Sequence, residues 1–276
     1  MKPAPFRYVR AGSVAEAVAE LAAAGGDAKP LAGGQSLVPL MNLRLARPAV
    51  LVDLNPIAEL ERLEVEDGRL VIGALVRHRR LATDPLVAAH APLLAEAARW
   101  IGHGAIRARG TIGGSLAHAD PAAGLPCAAV ALGAELSVAG PGGARTLAAA
   151  ALVDGAYSTR LAEDEMITAV RVPITAGPVG WGFAEIARRH GDFALVLAAA
   201  TAVPGRAVVT LGGVASAPLR IDGELDPQRR EEAIAGLAAR CVELCEPAGD
   251  VHATADWRRA MVGVVATRAL RDALRC

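Results

Sequence analysis

The sequence predicts an α+β fold, with two α/β subdomains followed by a small sheet and a helical hairpin. Three observations predict it. Hydrophobic residues make up 53% of the 276-residue chain and aromatic residues only 3%, so a core of Ala, Val and Leu spread over more than one subdomain is expected. Strand-like apolar runs alternate with helical periodicity in the first half of the chain. Two consecutive helical patterns close the chain.

Residues 1–56 are predicted to form the first α/β subdomain. Three short apolar runs are typical of strands: residues 6–9, 29–32 and 49–54. Between the first two runs, Ser13 and Glu16 have the capping-box spacing that begins a helix, and Gly25-Gly26 ends it. The segment is therefore predicted to be a βαβ-like unit.

Residues 57–176 are predicted to form the second subdomain. Asp67-Gly68 lies between two apolar runs and predicts a β-hairpin. An Ala/Leu-rich stretch at 85–101 favours helix, and the apolar runs at 128–139 and 167–172 favour strands. The Gly- and Pro-containing stretch 175–180 is predicted to link this subdomain to the next.

Residues 177–276 are predicted to form a C-terminal domain. Strands are expected at 194–203 and 207–211, joined by a turn at Pro204-Gly205. Asp226, which precedes Pro227, is predicted to cap the first helix of a hairpin. The inner faces of the two helices are predicted from apolar spacing: Ile234, Leu237, Cys241 and Leu244 in the first, and Trp257, Met261, Val264, Leu270 and Leu274 in the last.

Composition argues against several classes of function. The 29 basic and 29 acidic residues cancel, so no nucleic-acid partner is expected. The longest uncharged apolar stretch has 14 residues, against about 20 for a membrane-spanning helix, so no integral membrane segment is expected. The first ten residues lack the apolar core of a secretory signal, and the four cysteines and six histidines lack the spacing of a disulfide framework, a metal site or an iron–sulfur cluster. A cytoplasmic protein that binds no metal is predicted.

Two glycine-rich segments are the strongest candidates for a ligand site. Gly33-Gly34-Gln35-Ser36 follows a predicted strand, and Thr111 with Gly113-Gly114-Ser115 repeats the pattern. Successive backbone amides in such turns bind anions, so two segments from different subdomains would suit the pyrophosphate of a dinucleotide. An ordinary turn is the alternative for either segment taken alone. Neither segment has the spacing of a Rossmann or P-loop motif.

The residues "AGGQSLVPLMNLRLARPAVLVDL" and "IRARGTIGGSLAHADPA" resemble the FAD-binding medium subunit of molybdenum hydroxylases, of the aerobic carbon monoxide dehydrogenase and xanthine dehydrogenase type. Shorter stretches such as "DEMITAVRVP" and "LGGVASAP" extend the resemblance along the chain. It implies the FAD-binding fold of vanillyl-alcohol oxidase and peptidoglycan-building reductases, with FAD held between the two α/β subdomains.

The resemblance also implies which residues bind the cofactor. Two segments are expected to hold the pyrophosphate and its neighbours: Ala32, Gly33, Gly34, Gln35, Ser36 and Leu37, and then Thr111, Ile112, Gly113, Gly114 and Ser115. The backbone of Met166 and Ile167 is expected at the edge of the isoalloxazine ring, and Phe193 is expected either to shield the flavin or to lie in the core. Many relatives carry a carboxylate where this chain has Gly124, so Asp120 is the nearest remaining carboxylate, with capping of a turn as its alternative role.

The family further implies an electron-transfer subunit rather than a chain that acts on the organic substrate. A small subunit with two [2Fe–2S] clusters and a large subunit with the molybdenum cofactor are the expected partners, in a dimer of heterotrimers. Electrons would pass through FAD to NAD⁺, a quinone or oxygen, and no acid–base catalytic residue is nominated. A stand-alone flavoenzyme of the same fold and a flavin-less scaffold subunit are the alternatives.

Overall fold

The computed structural model describes residues 2–175, 177 and 179–275. Its first segment holds a three-stranded parallel sheet in the order β1-β3-β2, flanked by helices. The elements are β1 (Arg7–Arg10), α1 (Val14–Ala23), β2 (Ala28–Leu31), α2 (Leu37–Asn42) and β3 (Val50–Asp53). All three strands end at one edge of the sheet, because Arg10 and Leu31 both align with Asp53.

Helix α1 begins at the predicted cap, with one difference. The Ser13 hydroxyl accepts a hydrogen bond from the Glu16 amide at 3.1 Å, as the capping box requires. The Glu16 carboxylate instead accepts from the amide of Gly12 at 2.7 Å, one residue before the cap. The helix start was therefore predicted correctly, while the return contact of the box has a different donor.

The second segment is built on a five-stranded antiparallel sheet in the order β4-β5-β10-β6-β7, with helices between the second and third strands of the chain segment. The elements are β4 (Leu63–Glu66), β5 (Arg69–Gly73), α3 (His78–Thr83), α4 (Pro85–His90), α5 (Pro92–Arg99), α6 (Gly104–Arg109), α7 (Ile112–His118), α8 (Gly124–Ala131), β6 (Glu135–Gly140), β7 (Gly143–Ala148), β8 (Val153–Gly155), β9 (Ser158–Thr159) and β10 (Met166–Pro173). The hairpin predicted at Asp67-Gly68 is present, with φ of 49° and 69° at the two turn residues.

The prediction of a strand over 128–139 is wrong in its first half. Residues up to Ala131 belong to helix α8, and only Glu135–Gly140 forms a strand. Seven consecutive residues of α8, from Leu125 to Ala131, are buried. A helix that is apolar on every side has no amphipathic period, so periodicity cannot distinguish it from a buried strand.

The third segment holds a four-stranded antiparallel sheet in the order β11-β12-β13-β14, followed by two long helices. The elements are β11 (Gly180–Ala187), β12 (Ala194–Val203), β13 (Arg206–Gly212), β14 (Leu219–Glu224), α9 (Arg230–Leu244) and α10 (Ala255–Ala273). The Asp226 carboxylate accepts from the Gln228 amide and caps a short 3-10 turn that leads into α9. The predicted turn at Pro204-Gly205 joins β12 to β13.

The inner faces of these helices agree with the predicted ones in part, since Ile234, Leu237 and Cys241 of α9 and Leu270 of α10 are buried. Leu244 is 48% exposed, whereas Cys245 is buried, and Trp257 is 38% exposed. In α10 the buried stripe runs through Val262, Val265, Ala266, Ala269, Leu270 and Ala273. A methyl carbon on Gly182 would lie 2.0 Å from the Ala269 carbonyl oxygen, so the helix approaches the sheet along its alanines. Because the helix backbone lies so close to the sheet, alanines such as Ala269 face it, whereas the larger side chain of Trp257 does not.

The C-terminal sheet is covered on both faces. Helices α9 and α10 pack on one face, while Phe183 and Leu197 on the other join the core formed by α5, α8 and the second sheet. Residues 176 and 178 of the predicted linker lie outside the described residues, and the division of the chain after residues 56 and 176 stays a prediction. No helix in the described part of the chain is long and apolar enough to cross a membrane.

Candidate functional site

The two glycine segments lie against each other. A methyl carbon placed on Gly33 would be 2.2 Å from the carbonyl oxygen of Arg109 and 2.9 Å from Cα of Gly110. A methyl carbon on Gly114 would be 3.7 Å from Cβ of Ala32. The first segment leaves the carboxyl end of β2 and the second begins α7, so both lie at the edge where α/β sheets bind ligands.

The first segment presents backbone amides without partners. Among the residues that the structure describes, none accepts a hydrogen bond from the amides of Gly33, Gly34, Gln35 or Ser36. Gly34 has φ of +70°, a conformation that side-chain-bearing residues rarely adopt. The Gln35 side chain donates a hydrogen bond to the Gly33 carbonyl at 3.1 Å, which stabilises the loop conformation. Unpaired donors grouped in this way are suited to an anion.

The second glycine segment does not offer a set of free backbone amides like that of the first, as its sequence had led us to expect. Four of its five amides have a partner within the chain: Ile112 donates to Val76 O, Gly113 to Ala74 O, Gly114 to Thr111 Oγ1 and Ser115 to Thr111 O. A methyl carbon on Gly113 would lie 2.6 Å from Cβ of Ala74, so this glycine permits close backbone pairing. The segment therefore offers side chains to a ligand, chiefly the hydroxyl of Ser115.

A buried histidine holds the second segment in place. His78 Nε2 lies 2.9 Å from the Thr111 carbonyl oxygen and 3.0 Å from Ser115 Oγ, while Nδ1 is buried with no hydrogen-bond partner among the described residues. Burial lowers the pKa of His78 to about 4, so the ring is neutral at physiological pH. A carbonyl oxygen only accepts, so the ring proton sits on Nε2. Ser115 Oγ then faces an N–H group, and its own proton is directed away from the histidine.

Two polar side chains connect the first glycine segment to the residues just before the second through hydrogen bonds. Asn55 Nδ2 donates to the Ala32 carbonyl at 3.0 Å, and Arg77 donates to Asn55 Oδ1 at 2.6 Å and to the Arg109 carbonyl at 2.8 Å. Sequence reasoning missed all three contacts. The Asp53-x-Asn55 pattern directly after a buried strand was the only available signal.

Asp53 anchors Asn55 at the edge of the first sheet. Its Oδ1 accepts from the Asn55 backbone amide at 3.0 Å and from Nδ2 at 2.5 Å, and its Oδ2 accepts from the Tyr8 hydroxyl at 2.5 Å. Burial alone would raise the pKa of Asp53, but the bonds from Tyr8 and Asn55 outweigh it and hold the pKa below its usual value. The carboxylate is therefore charged and fixes the amide orientation of Asn55.

The other predicted site residues lie in three places. Met166 and Ile167 are buried at the start of β10, where the core around the three-stranded sheet meets the core around the five-stranded sheet. Phe193 is 66% exposed, so its alternative assignment to the core is wrong. Asp120 accepts from the Ala122 amide at 2.8 Å, which is the turn-capping role, and from the Tyr157 hydroxyl at 3.3 Å.

Gly124, where the resemblance led us to expect a carboxylate, faces an aromatic ring. A methyl carbon there would lie 3.0 Å from Cζ of Phe183 and 3.8 Å from Cβ of Ala97. Glu185 lies two residues further along the same strand, and burial raises its pKa to about 7. The space beside Gly124 is thus occupied by Phe183.

The fold and this edge site define a flavin-binding subunit. The chain belongs to the family described as "FAD binding domain in molybdopterin dehydrogenase", whose model matches residues 4–175. It is therefore an oxidoreductase subunit, with FAD as the cofactor of its family, and the α+β prediction is confirmed.

Within that family the chain is similar to medium subunits over its whole length. It is 40% identical to the carbon monoxide dehydrogenase medium chain of Hydrogenophaga pseudoflava, over 99% of this chain and 98% of that one. It is 39% identical to the 6-hydroxypseudooxynicotine dehydrogenase complex subunit alpha of Paenarthrobacter nicotinovorans, over 99% and 96%. The solved carbon monoxide dehydrogenase of H. pseudoflava superimposes with a TM-score of 0.93 at 38% identity, covering 100% of this chain and 99% of that chain.

Proposed function

We propose that FAD binds between the two glycine segments, with its pyrophosphate on the loop 32–37. The four unpartnered amides of Gly33 to Ser36 are the observation that carries this assignment, since they form the anion-binding group of the site. Thr111 to Ser115 face the same space, and the Ser115 hydroxyl has a proton to donate because His78 supplies one to its oxygen. When bound, FAD supplies the electron-accepting and electron-donating chemistry, and the chain positions it.

The remaining predicted residues are assigned to the two ends of the cofactor. The backbone of Met166 and Ile167, where the first two cores meet, is proposed to border the isoalloxazine ring. Phe193, exposed in the connection between β11 and β12, is proposed to cover the ring. Asp120 is proposed to contact the ribose or adenine end through the carboxylate oxygen that the Tyr157 hydroxyl contacts at 3.3 Å.

The biological role that we propose is electron transfer inside a larger enzyme. Electrons would enter from [2Fe–2S] clusters of a small subunit, and leave to NAD⁺, a quinone or oxygen. A large subunit with the molybdenum cofactor would oxidise the substrate, in a dimer of heterotrimers. The similar proteins support a subunit role, since they are a dehydrogenase medium chain and a dehydrogenase complex subunit. A cytoplasmic location remains a prediction from the cysteine pattern.

The first experiment is the visible spectrum of the purified chain with and without added FAD, followed by identification of the flavin released on denaturation. Flavin bands with FAD released would support the proposal. If the lone chain binds none, the same spectrum on the complex co-expressed with its partners decides the case. Flavin in that complex would mean that the partners complete the site, and no flavin would favour a flavin-less scaffold.

A variant pair links the flavin to the proposed site. In Gly114→Val the added methyl groups occupy the space between the segments, since even Cβ would lie 2.9 Å from Thr111 Oγ1 and 3.7 Å from Ala32 Cβ. FAD binding should be lost while the far-ultraviolet circular dichroism is retained. Gly104→Val is the matched control, because no atom of the described residues outside the helix's own backbone lies within 4 Å of a Cβ at that glycine. Normal FAD binding by Gly114→Val would refute the assignment of the segment.

A further inference from the structure

The Arg77 side chain spans two parts of the chain that are remote in sequence. One nitrogen donates to Asn55 Oδ1 at 2.6 Å and another to the Arg109 carbonyl at 2.8 Å. Asn55 in turn donates to the Ala32 carbonyl at 3.0 Å. The result is a continuous hydrogen-bonded path from the Ala32 carbonyl, at the start of the loop with unpartnered amides, to the Arg109 carbonyl, two residues before Thr111.

The path lies where the two backbones are closest. Gly33 approaches the Arg109 carbonyl so closely that a methyl carbon would be 2.2 Å away, and Arg77 binds that same oxygen. The backbone of Arg77 is also fixed, because it forms a β-bridge with Thr111 and its neighbour His78 donates its amide to Gly110 O. At the other end, Asn55 is oriented by the buried carboxylate of Asp53. Both ends of the path are therefore rigid.

We propose that Arg77 and Asn55 are positioning residues for FAD. They hold the Ala32–Gly33 backbone in contact with the Arg109–Gly110 backbone, and so fix where the amides of Gly33 to Ser36 lie relative to Thr111 to Ser115. The guanidinium suits this role because its planar fork donates in two directions at once, which a lysine cannot reproduce. The inference rests on the proposed function, since it assumes that FAD occupies the space between the segments.

The test measures the FAD dissociation constant of the full chain, or of its co-expressed complex, by flavin fluorescence titration. Arg77→Met removes both hydrogen bonds and keeps the aliphatic stem. We expect its dissociation constant to rise about tenfold or more, the effect of one charge-assisted hydrogen bond. Arg77→Lys retains the charge and one donor direction, so it should bind with intermediate affinity. Arg79→Met is the matched control, an exposed arginine two residues later on helix α3, and should bind as the wild type does.

A double-variant cycle separates positioning from general stability. Asn55→Ala should weaken FAD binding. The double variant Arg77→Met, Asn55→Ala should have the same FAD dissociation constant as whichever single variant binds FAD less tightly, because both changes break the same path. Fully additive effects would overturn the inference, as would Arg77→Met binding FAD within twofold of wild type. If Arg77→Met does not fold, wild-type affinity in Arg77→Lys overturns it instead. Absence of FAD from the wild-type complex would be a failure of the proposed function, which is a distinct result.

Discussion

Gly33→Ala tests the contact on which the site is built. The alanine Cβ would lie 2.2 Å from the Arg109 carbonyl oxygen, 2.8 Å from its carbon and 2.9 Å from Cα of Gly110, all of them backbone atoms. Ordinary contact begins near 3.4 Å, so the two backbones must separate by roughly 1.2 Å (3.4 minus 2.2). Forcing an extra carbon into such packing lowers the free energy of unfolding by about 1–3 kcal/mol.

The same displacement should also weaken FAD binding, by an amount comparable to its effect on the fold. A shift of about 1 Å takes an amide donor out of the 2.7–3.2 Å range of a hydrogen bond, and a bond to a charged oxygen contributes about 1.5–3 kcal/mol. The dissociation constant of FAD should therefore rise at least about tenfold. Urea denaturation of the flavin-free chain and fluorescence titration with FAD measure the two effects separately.

Gly104→Ala is the control for this substitution. It adds the same methyl group to a helical glycine at which no atom of the described residues outside the helix's own backbone lies within 4 Å of the new carbon. FAD binding should stay at the wild-type value, and the free energy of unfolding should be unchanged or rise by up to about 1 kcal/mol, because alanine loses less backbone entropy than glycine on folding. The reasoning is refuted if Gly33→Ala unfolds within about 0.5 kcal/mol of wild type, the usual range for a neutral surface change, and also binds FAD normally.

Three further predictions concern the residues around the site. His78 has a pKa of about 4 in the folded chain against 6.5 for the ordinary side chain, so its neutral form contributes fully to the free energy of unfolding above pH 6.5. About 3 kcal/mol of that free energy is lost as the pH falls to 4. In urea denaturation across this range, the free energy of unfolding of His78→Gln should depend less on pH, and an unchanged dependence would exclude this histidine as the cause. Phe193→Ala removes an exposed ring, so the unfolding free energy should stay within about 0.5 kcal/mol while the visible spectrum of the bound flavin shifts; an unaltered spectrum would place the ring away from the flavin. Gly124→Asp should destabilise the chain by about 1–3 kcal/mol through its 3.0 Å contact with Phe183, and a double-variant cycle with Phe183→Leu should show favourable coupling, whereas additive effects would point to another cause.

Local chemistry predicted the elements that depend on neighbouring residues. The Ser13 cap, the Asp67-Gly68 hairpin and strand β12 (Ala194–Val203) are confirmed, because a cap, a two-residue turn and a continuous apolar run are each determined within a few residues. The first part of 128–139 was wrong, because full burial removes the periodicity that separates helix from strand.

In the candidate site, too, local patterns were predictable from the sequence and long-range contacts were not. The sequence by itself determined that Gly33-Gly34 and Gly113-Gly114 are special positions, since paired glycines beside Ser or Thr are a local pattern, and the resemblance connected them to FAD. Only the tertiary structure decided why each glycine is bare: Gly33 admits the Arg109 backbone and Gly113 admits Ala74. It also decided which amides remain unpartnered, and it brought Arg77 beside Asn55, 22 residues earlier in the chain. Such contacts depend on how strands and helices pack in space, and no spacing within a short stretch of sequence encodes them.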